Sequence, residues 1–280
     1  MTIKTKWVRH AVQIFFFVLI GMFTFNHILA ETGPVPIPFL PDVSLHAICP
    51  FGGIESSISL FTAGTLTRQL QLSTLVMSAI IIIMTLIFGA VFCSFVCPLG
   101  SVQEWIGKLG RKIFKKRYNT FIPQKVHNVL KYFRYVSLIA VVVLTYNAAS
   151  LIFLEVDPYY AMYHFFTDEV TVGSLIVLGV TLLGSLFVER PWCKYACPYG
   201  AFLGLIGKLS IFKIKRSQSA CTSCTLCSKK CPMNVDIDHA KTVYDAQCNK
   251  CLECTDGTIC KPNALVFTAG RLKEAQNEDK

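Results

Sequence analysis

The chain has 280 residues, 53% of them hydrophobic and only 16% charged, with a formal net charge of +10. Its mean hydropathy of +0.50 is too high for an ordinary soluble domain and excludes a disordered chain. The positive charge clusters beside apolar stretches, where anionic headgroups account for it, so no nucleic-acid partner is expected.

Lys4, Lys6 and Arg9 precede the first of four apolar stretches, at 11–30, 72–92, 132–154 and 172–188. A hydrocarbon core of roughly 30 Å takes about 20 residues, so each is a candidate membrane helix. The last is the shortest, and its Gly173, Gly179 and Gly184 would let helices approach closely. A cleaved leader is the other reading of the first stretch, but the run is long for one and lacks an A-x-A site.

Between the first two stretches lies the proline-rich segment 33–41, too stiff for a helix. It leads into His46-Ala-Ile-Cys-Pro-Phe-Gly-Gly-Ile-Glu55. His46, Cys49 and Glu55 form a candidate outer-face site for a metal, a quinone or flavin, or a proton coupled to electron transfer. A tight re-entrant turn packing Phe51 is the alternative. The second half offers Asp157-Pro-Tyr-Tyr and His164 at the comparable level, without the cysteine. His27 is the only histidine placed to face haem inside the helices, so intramembrane haem is not expected.

Basic residues set the expected orientation. Lys108, Arg111, Lys112, Lys115, Lys116, Arg117 and Lys125 follow the second stretch, and Arg190, Lys194, Lys208, Lys213, Lys215 and Arg216 follow the fourth. The connection 31–71 has only Arg68, and 155–171 has none. The positive-inside rule therefore puts both termini in the cytoplasm of a multi-pass inner-membrane protein. Cytoplasmic cysteines also suit a reducing compartment, where thiolates stay free for metal.

The membrane part is duplicated. Phe92-Cys-Ser-Phe-Val-Cys-Pro-Leu-Gly100 matches Trp192-Cys-Lys-Tyr-Ala-Cys-Pro-Tyr-Gly200 at an offset of one hundred residues, and the match continues through Ile106-Gly-Lys-Leu109 and Ile206-Gly-Lys-Leu209. Each unit is a helix pair ending in C-x3-C-P, so the repeats are parallel, related by an axis along the membrane normal. Cysteines four apart share one face of a helical turn, which the following proline and glycine break. Cys93, Cys97, Cys193 and Cys197 would then converge on a third iron–sulfur cluster. A packing motif, or a redox-active dithiol in each half, remains the alternative.

The tail carries the densest chemistry. Cys221, Cys224, Cys227 and Cys231 have the C-x2-C-x2-C-x3-C-P spacing of bacterial two-cluster ferredoxins. Three cysteines at that spacing wrap one cubane, and the fourth points to another. Cys248, Cys251 and Cys254 complete that second cubane with Cys231, leaving Cys260 to close the first with Cys221, Cys224 and Cys227. Zinc or disulfides explain the order poorly. The second run departs from the pattern in reading C-K-P at Cys260. The expected architecture is an all-α four-helix membrane bundle over 1–216 and a small α+β ferredoxin-like domain over 217–280, folded largely by its two 4Fe–4S clusters.

With these motifs in place, the chain resembles the NapH/NosR-like family of membrane-bound ferredoxin-type proteins. The resemblance rests on the four apolar stretches, the paired C-x3-C-P motifs and the tandem cysteine runs, and covers nearly the whole chain. It implies an electron-transfer subunit of quinol-dehydrogenase type. Such a subunit relays electrons between a cytoplasmic redox protein and the quinone pool or an outer-face partner. It also implies that any flavin- or metal-containing subunit is a separate chain, since the flavin-binding domain of larger members is missing. The alternative class is an accessory or redox-sensing protein serving assembly of another metal complex. A passive solute carrier is not expected, since no charged substrate site lies within the helices.

Overall fold

The structure, a computed structural model, describes residues 3–32, 72–148, 153, 156–165, 170–260 and 264–269. His46, Cys49 and Glu55 lie outside the described residues. Helix α1 spans Ile3–Thr32 and α2 spans Leu72–Phe88, followed by the short α3, Phe92–Phe95, and by α4, Pro98–Phe114. The second half repeats this order: α5 (Gln124–Leu130) and α6 (Phe133–Ala148), the short α7 (Pro158–Tyr163), α8 (Val172–Ser185), α9 (Pro191–Tyr195) and α10 (Pro198–Gly207). The tail adds β1 (Lys213–Arg216), α11 (Leu226–Lys229) and β2 (Leu265–Thr268).

Among the described residues two stretches, Lys6–Asn26 in α1 and Gln124–Tyr146 across α5 and α6, are long and apolar enough to cross a membrane. At 17 and 14 residues, α2 and α8 are shorter than their apolar stretches suggested. The chain bends at Gly89, whose φ of +83° no β-carbon would tolerate comfortably, and α8 ends at Leu186.

Burial in these helices is inverted relative to a soluble protein. On α8, Ser174, Thr181 and Ser185 face inward while Val172, Ile176, Val180 and Leu183 are exposed. On α2, Ser78 and Thr85 are buried and Val76, Ile80 and Ile83 exposed. Thr85 Oγ1 donates to the Ile81 carbonyl at 2.8 Å, which satisfies the hydroxyl within its own helix. Small polar residues inside and aliphatic residues outside are what lipid-facing helices need.

The two halves interlock. The first-half helix α1 packs on its own α3 and α4, as α6 packs on α9 and α10. Then α4 crosses to α8, and α10 crosses to α2. Close approach depends on Gly110 in α4, where a β-carbon would lie 2.1 Å from the Leu186 carbonyl oxygen.

Strands β1 and β2 pair antiparallel from Lys213↔Thr268 to Arg216↔Leu265. Ile214 and Leu265 join Met233, Val235, Ile237 and Val243 in a small core that also buries Cys231 and Cys254. Cysteines are thus part of that core, which has few aliphatic side chains of its own.

Candidate iron–sulfur centres

Cys97 and Cys197 owe their places to the proline that follows each. Proline disfavours helical backbone in the preceding residue, and both cysteines are extended, at φ −64° and ψ 115° and at φ −65° and ψ 113°. They act as N-caps of α4 and α10, with Cys197 Sγ accepting from the Gly200 N–H at 3.2 Å. Cys93 and Cys193 sit one turn earlier, in α3 and α9. The helical turn therefore breaks before the second cysteine of each pair, not after it. All four thiols are within electrostatic reach of one another. Cys97, Cys193 and Cys197 line a cavity of about 50 Å³ with Phe92, Trp192 and Tyr199. Burial, then the neighbouring Cys193, pushes the Cys97 thiol up to about 12. Four such groups without a cation would stay protonated, and a bound metal would reverse that preference.

Gln103 holds the halves together at this point. It is fully buried, donates to Cys193 Sγ at 3.6 Å and accepts from the Trp192 N–H at 3.3 Å. Asp157, expected at the outer level, also lines the cysteine cavity. Helix α7 packs against α8 and α4, which carries its N-terminus inward. Burial pushes the Asp157 carboxyl up to about 7, against the backbone amides of Tyr159 and Tyr160 that it caps.

The tail brings its eight cysteines into two sets. Cys221, Cys224, Cys227 and Cys260 line one apolar cavity. Cys231, Cys248 and Cys251 all lie within electrostatic reach of Cys254, as does Cys227 of the neighbouring set. The two runs share one backbone device. Ser223 and Thr225 flank Cys224 at φ 51° and 59°, and Lys250 and Leu252 flank Cys251 at φ 54° and 59°. Left-handed residues alternating with ordinary ones turn successive N–H groups inward, forming the amide nest that binds anions and iron–sulfur clusters. No glycine relieves these positions, so each stores roughly 1–2 kcal/mol of strain. All twelve described cysteines are free of disulfides. Soft thiolates in fours over amide nests fit iron–sulfur clusters.

The sequence reading missed the ionic residues between these sets. Arg9, Arg190 and Lys194 were counted as topology markers, yet they are 2%, 1% and 0% exposed. Arg9 donates to the Cys251 carbonyl at 2.9 Å and to Glu104 Oε1 at 2.8 Å. Arg190 donates to the Cys93 carbonyl at 2.5 Å and to Glu104 Oε2 at 2.6 Å. Lys194 Nζ donates to Asn119 Oδ1 at 2.8 Å. A signal existed: Glu104 is the only acidic residue between 72 and 154.

Cysteine sets of this kind, nested and free of disulfides, on apolar helices define an iron–sulfur electron-transport protein. A sequence model described as a 4Fe–4S binding domain matches residues 70–117 and 170–217, the two stretches that contain the C-x3-C-P pairs. The chain is 37% identical over 221 residues to the uncharacterized protein MJ0750 of Methanocaldococcus jannaschii, covering 79% of this chain and 86% of that one. It is 31% identical to the putative electron transport protein YccM of Escherichia coli, over 82% of this chain and 64% of YccM. It is 26% identical to the ferredoxin-type protein NapH of Escherichia coli, over 63% and 61%. No solved structure matches. The chain belongs to the NapH/NosR-like family of 4Fe–4S ferredoxin-type proteins.

Proposed function

We propose that this chain is a membrane-anchored electron relay between a redox protein on its cysteine-rich face and the quinone pool or a partner on the membrane's other side. The observation that carries the reading is the order of the three cysteine sets. Cys224 is exposed, which gives the Cys221, Cys224, Cys227 and Cys260 set access to a soluble partner. The Cys231, Cys248, Cys251 and Cys254 set lies against the helices, where Ser94 Oγ donates to the Asn249 carbonyl at 2.7 Å and a β-carbon on Gly204 would meet the Ala246 carbonyl oxygen at 2.3 Å. The Cys93, Cys97, Cys193 and Cys197 set lies within the helices. In this reading the first two sets ligate 4Fe–4S clusters and the third holds a further cluster. Bound clusters supply reversible one-electron carriers. The protein contributes the thiolates, nests their sulfurs, excludes water and fixes the spacing.

The same reading divides the chain into a four-helix membrane part with two parallel repeats (1–216) and a ferredoxin-like part (217–280), with both termini cytoplasmic. The basic rim would steer an acidic donor or acceptor. The test is redox-titrated EPR of the purified protein with iron quantification, with and without quinone. The expected result is more iron than two 4Fe–4S clusters hold, with one signal responding to quinone. Iron for two clusters only, with no signal responding to quinone, would refute the inner site and the quinone link.

A further inference from the structure

Between the Cys251 carbonyl and the Cys93 carbonyl runs an unbroken ionic chain: Arg9, Glu104, Arg190. We propose that Arg9, Glu104 and Arg190 form a charged bridge that fixes the Cys231/Cys248/Cys251/Cys254 set against the Cys93/Cys97/Cys193/Cys197 set and tunes the reduction potentials of both. The proposal rests on the reading that both sets hold iron–sulfur clusters.

Arg190 lies within electrostatic reach of Cys93, Cys97 and Cys193 on one side and of Cys251 on the other. Arg9 reaches Cys251. Glu104 stands between the two guanidiniums, each oxygen taking one of them. Burial alone would push its carboxyl up, but Arg190 and Arg9 outweigh it and hold it down at about 2. The bridge therefore keeps its charges throughout the physiological range.

Three ions, each 3% exposed or less, make a weak case for stability, because apolar residues of the same volume often stabilise an interface better than a buried Arg–Glu–Arg triad. If this contact only joined two pieces of protein, an apolar seam would serve. The neighbours show how closely charge is balanced here. Glu253 takes a second bond from Arg9 at 2.7 Å, half-exposed Lys108 stands 3.8 Å from Glu104, and Gln13 Nε2 donates to Glu104 at 3.0 Å and to the Ser94 carbonyl at 2.9 Å. Gly100 makes room for the bridge, since a β-carbon there would lie 2.8 Å from the Cys93 carbonyl oxygen and 3.1 Å from the Arg190 guanidinium.

A positive charge beside a cluster favours its reduced, more negative form, and a negative charge disfavours it. Arg9→Gln should therefore lower the midpoint potential of the Cys251 cluster by about tenfold in its reduction equilibrium, about 59 mV for one electron. Arg190→Gln should lower both potentials, and Glu104→Gln, which keeps the side-chain shape, should raise both. Opposite signs from two members of one bridge are not the signature of loosened packing.

The experiment is an EPR-monitored redox titration of the full-length wild type and these three variants, with iron counts on each and with Cys97→Ser to assign the inner signal. Opposed shifts with wild-type iron content support the proposal. Unmoved potentials, with iron and the Cys97-dependent signal intact, overturn the proposal alone. A wild-type spectrum that Cys97→Ser leaves unchanged overturns the underlying reading, and the bridge with it. Should an arginine variant lose iron, Glu104→Gln decides: a raised pair of potentials supports the bridge, and an unchanged or lowered pair overturns it.

Discussion

A thiol half-buried beside three others is a poor side chain unless something binds it, and Cys93, Cys97, Cys193 and Cys197 are in that position together. Cys97 and Cys197 have the same backbone angles within 2°, so the two halves present their thiols equivalently. Cys97→Ser and Cys197→Ser should therefore remove the same spectroscopic species and the same amount of iron, while leaving the tail's signals in place. Two packing motifs would instead destabilise unequally and lose no iron, which iron counts beside EPR spectra would show. The convergence of these four thiols was legible from the hundred-residue repeat, because spacing and proline fix where a sulfur goes. The charged residues around them were not. An arginine beside an apolar run has the same letter whether it meets headgroups or a buried carboxylate, so Arg9 and Arg190 looked like topology markers.

At the scale of elements, the two cysteine loops of the tail show local strain set against ligand binding. Ser223, Thr225, Lys250 and Leu252 adopt left-handed backbone without being glycine. Ser223 is exposed, so a substitution there reports mainly on the backbone. Ser223→Gly should keep both tail signals and raise resistance to denaturant by about 1 kcal/mol, whereas Ser223→Val should lower it by a similar amount or more. Chemical unfolding followed by cluster absorbance measures both, and equal midpoints for the two variants would remove strain from the account. The spacing of Cys221, Cys224 and Cys227 announced a tight loop, but not its handedness, since neither serine nor threonine signals positive φ. Helix lengths were only partly legible. Hydropathy runs through Gly89 and Leu186 without a break, while the backbone turns there. The inward placement of α7 was invisible for a different reason: Asp157-Pro-Tyr-Tyr falls between two apolar stretches and so reads as an outer-level segment, and only packing on Leu99 and Leu178 draws its helix toward the cysteines.

For the whole molecule, the decisive quantity is the separation between the cysteine sets and the far side of the bilayer. Helix α1 has 30 residues, about 45 Å at 1.5 Å per residue, and its Arg9 end holds the Cys251 loop. The Cys93/Cys97 loop meets α1 at Gln13, whose amide donates to the Ser94 carbonyl, so roughly 28 Å of helix remains beyond it, comparable with a hydrocarbon core of roughly 30 Å. Electron tunnelling decays exponentially with distance and does not cross such a gap at a useful rate. Delivery to the opposite face needs either a quinone moving in the membrane or a second protein bringing its own cofactor. Reconstituted alone in quinone-free vesicles and supplied with a reductant on the cysteine-rich side, the chain should leave a membrane-impermeant dye on the other side oxidised. Adding quinone should start the reaction, and dye absorbance follows both states. Rapid dye reduction without quinone would mean that a carrier lies deeper than these cysteine sets, and the relay would have to be redrawn around it.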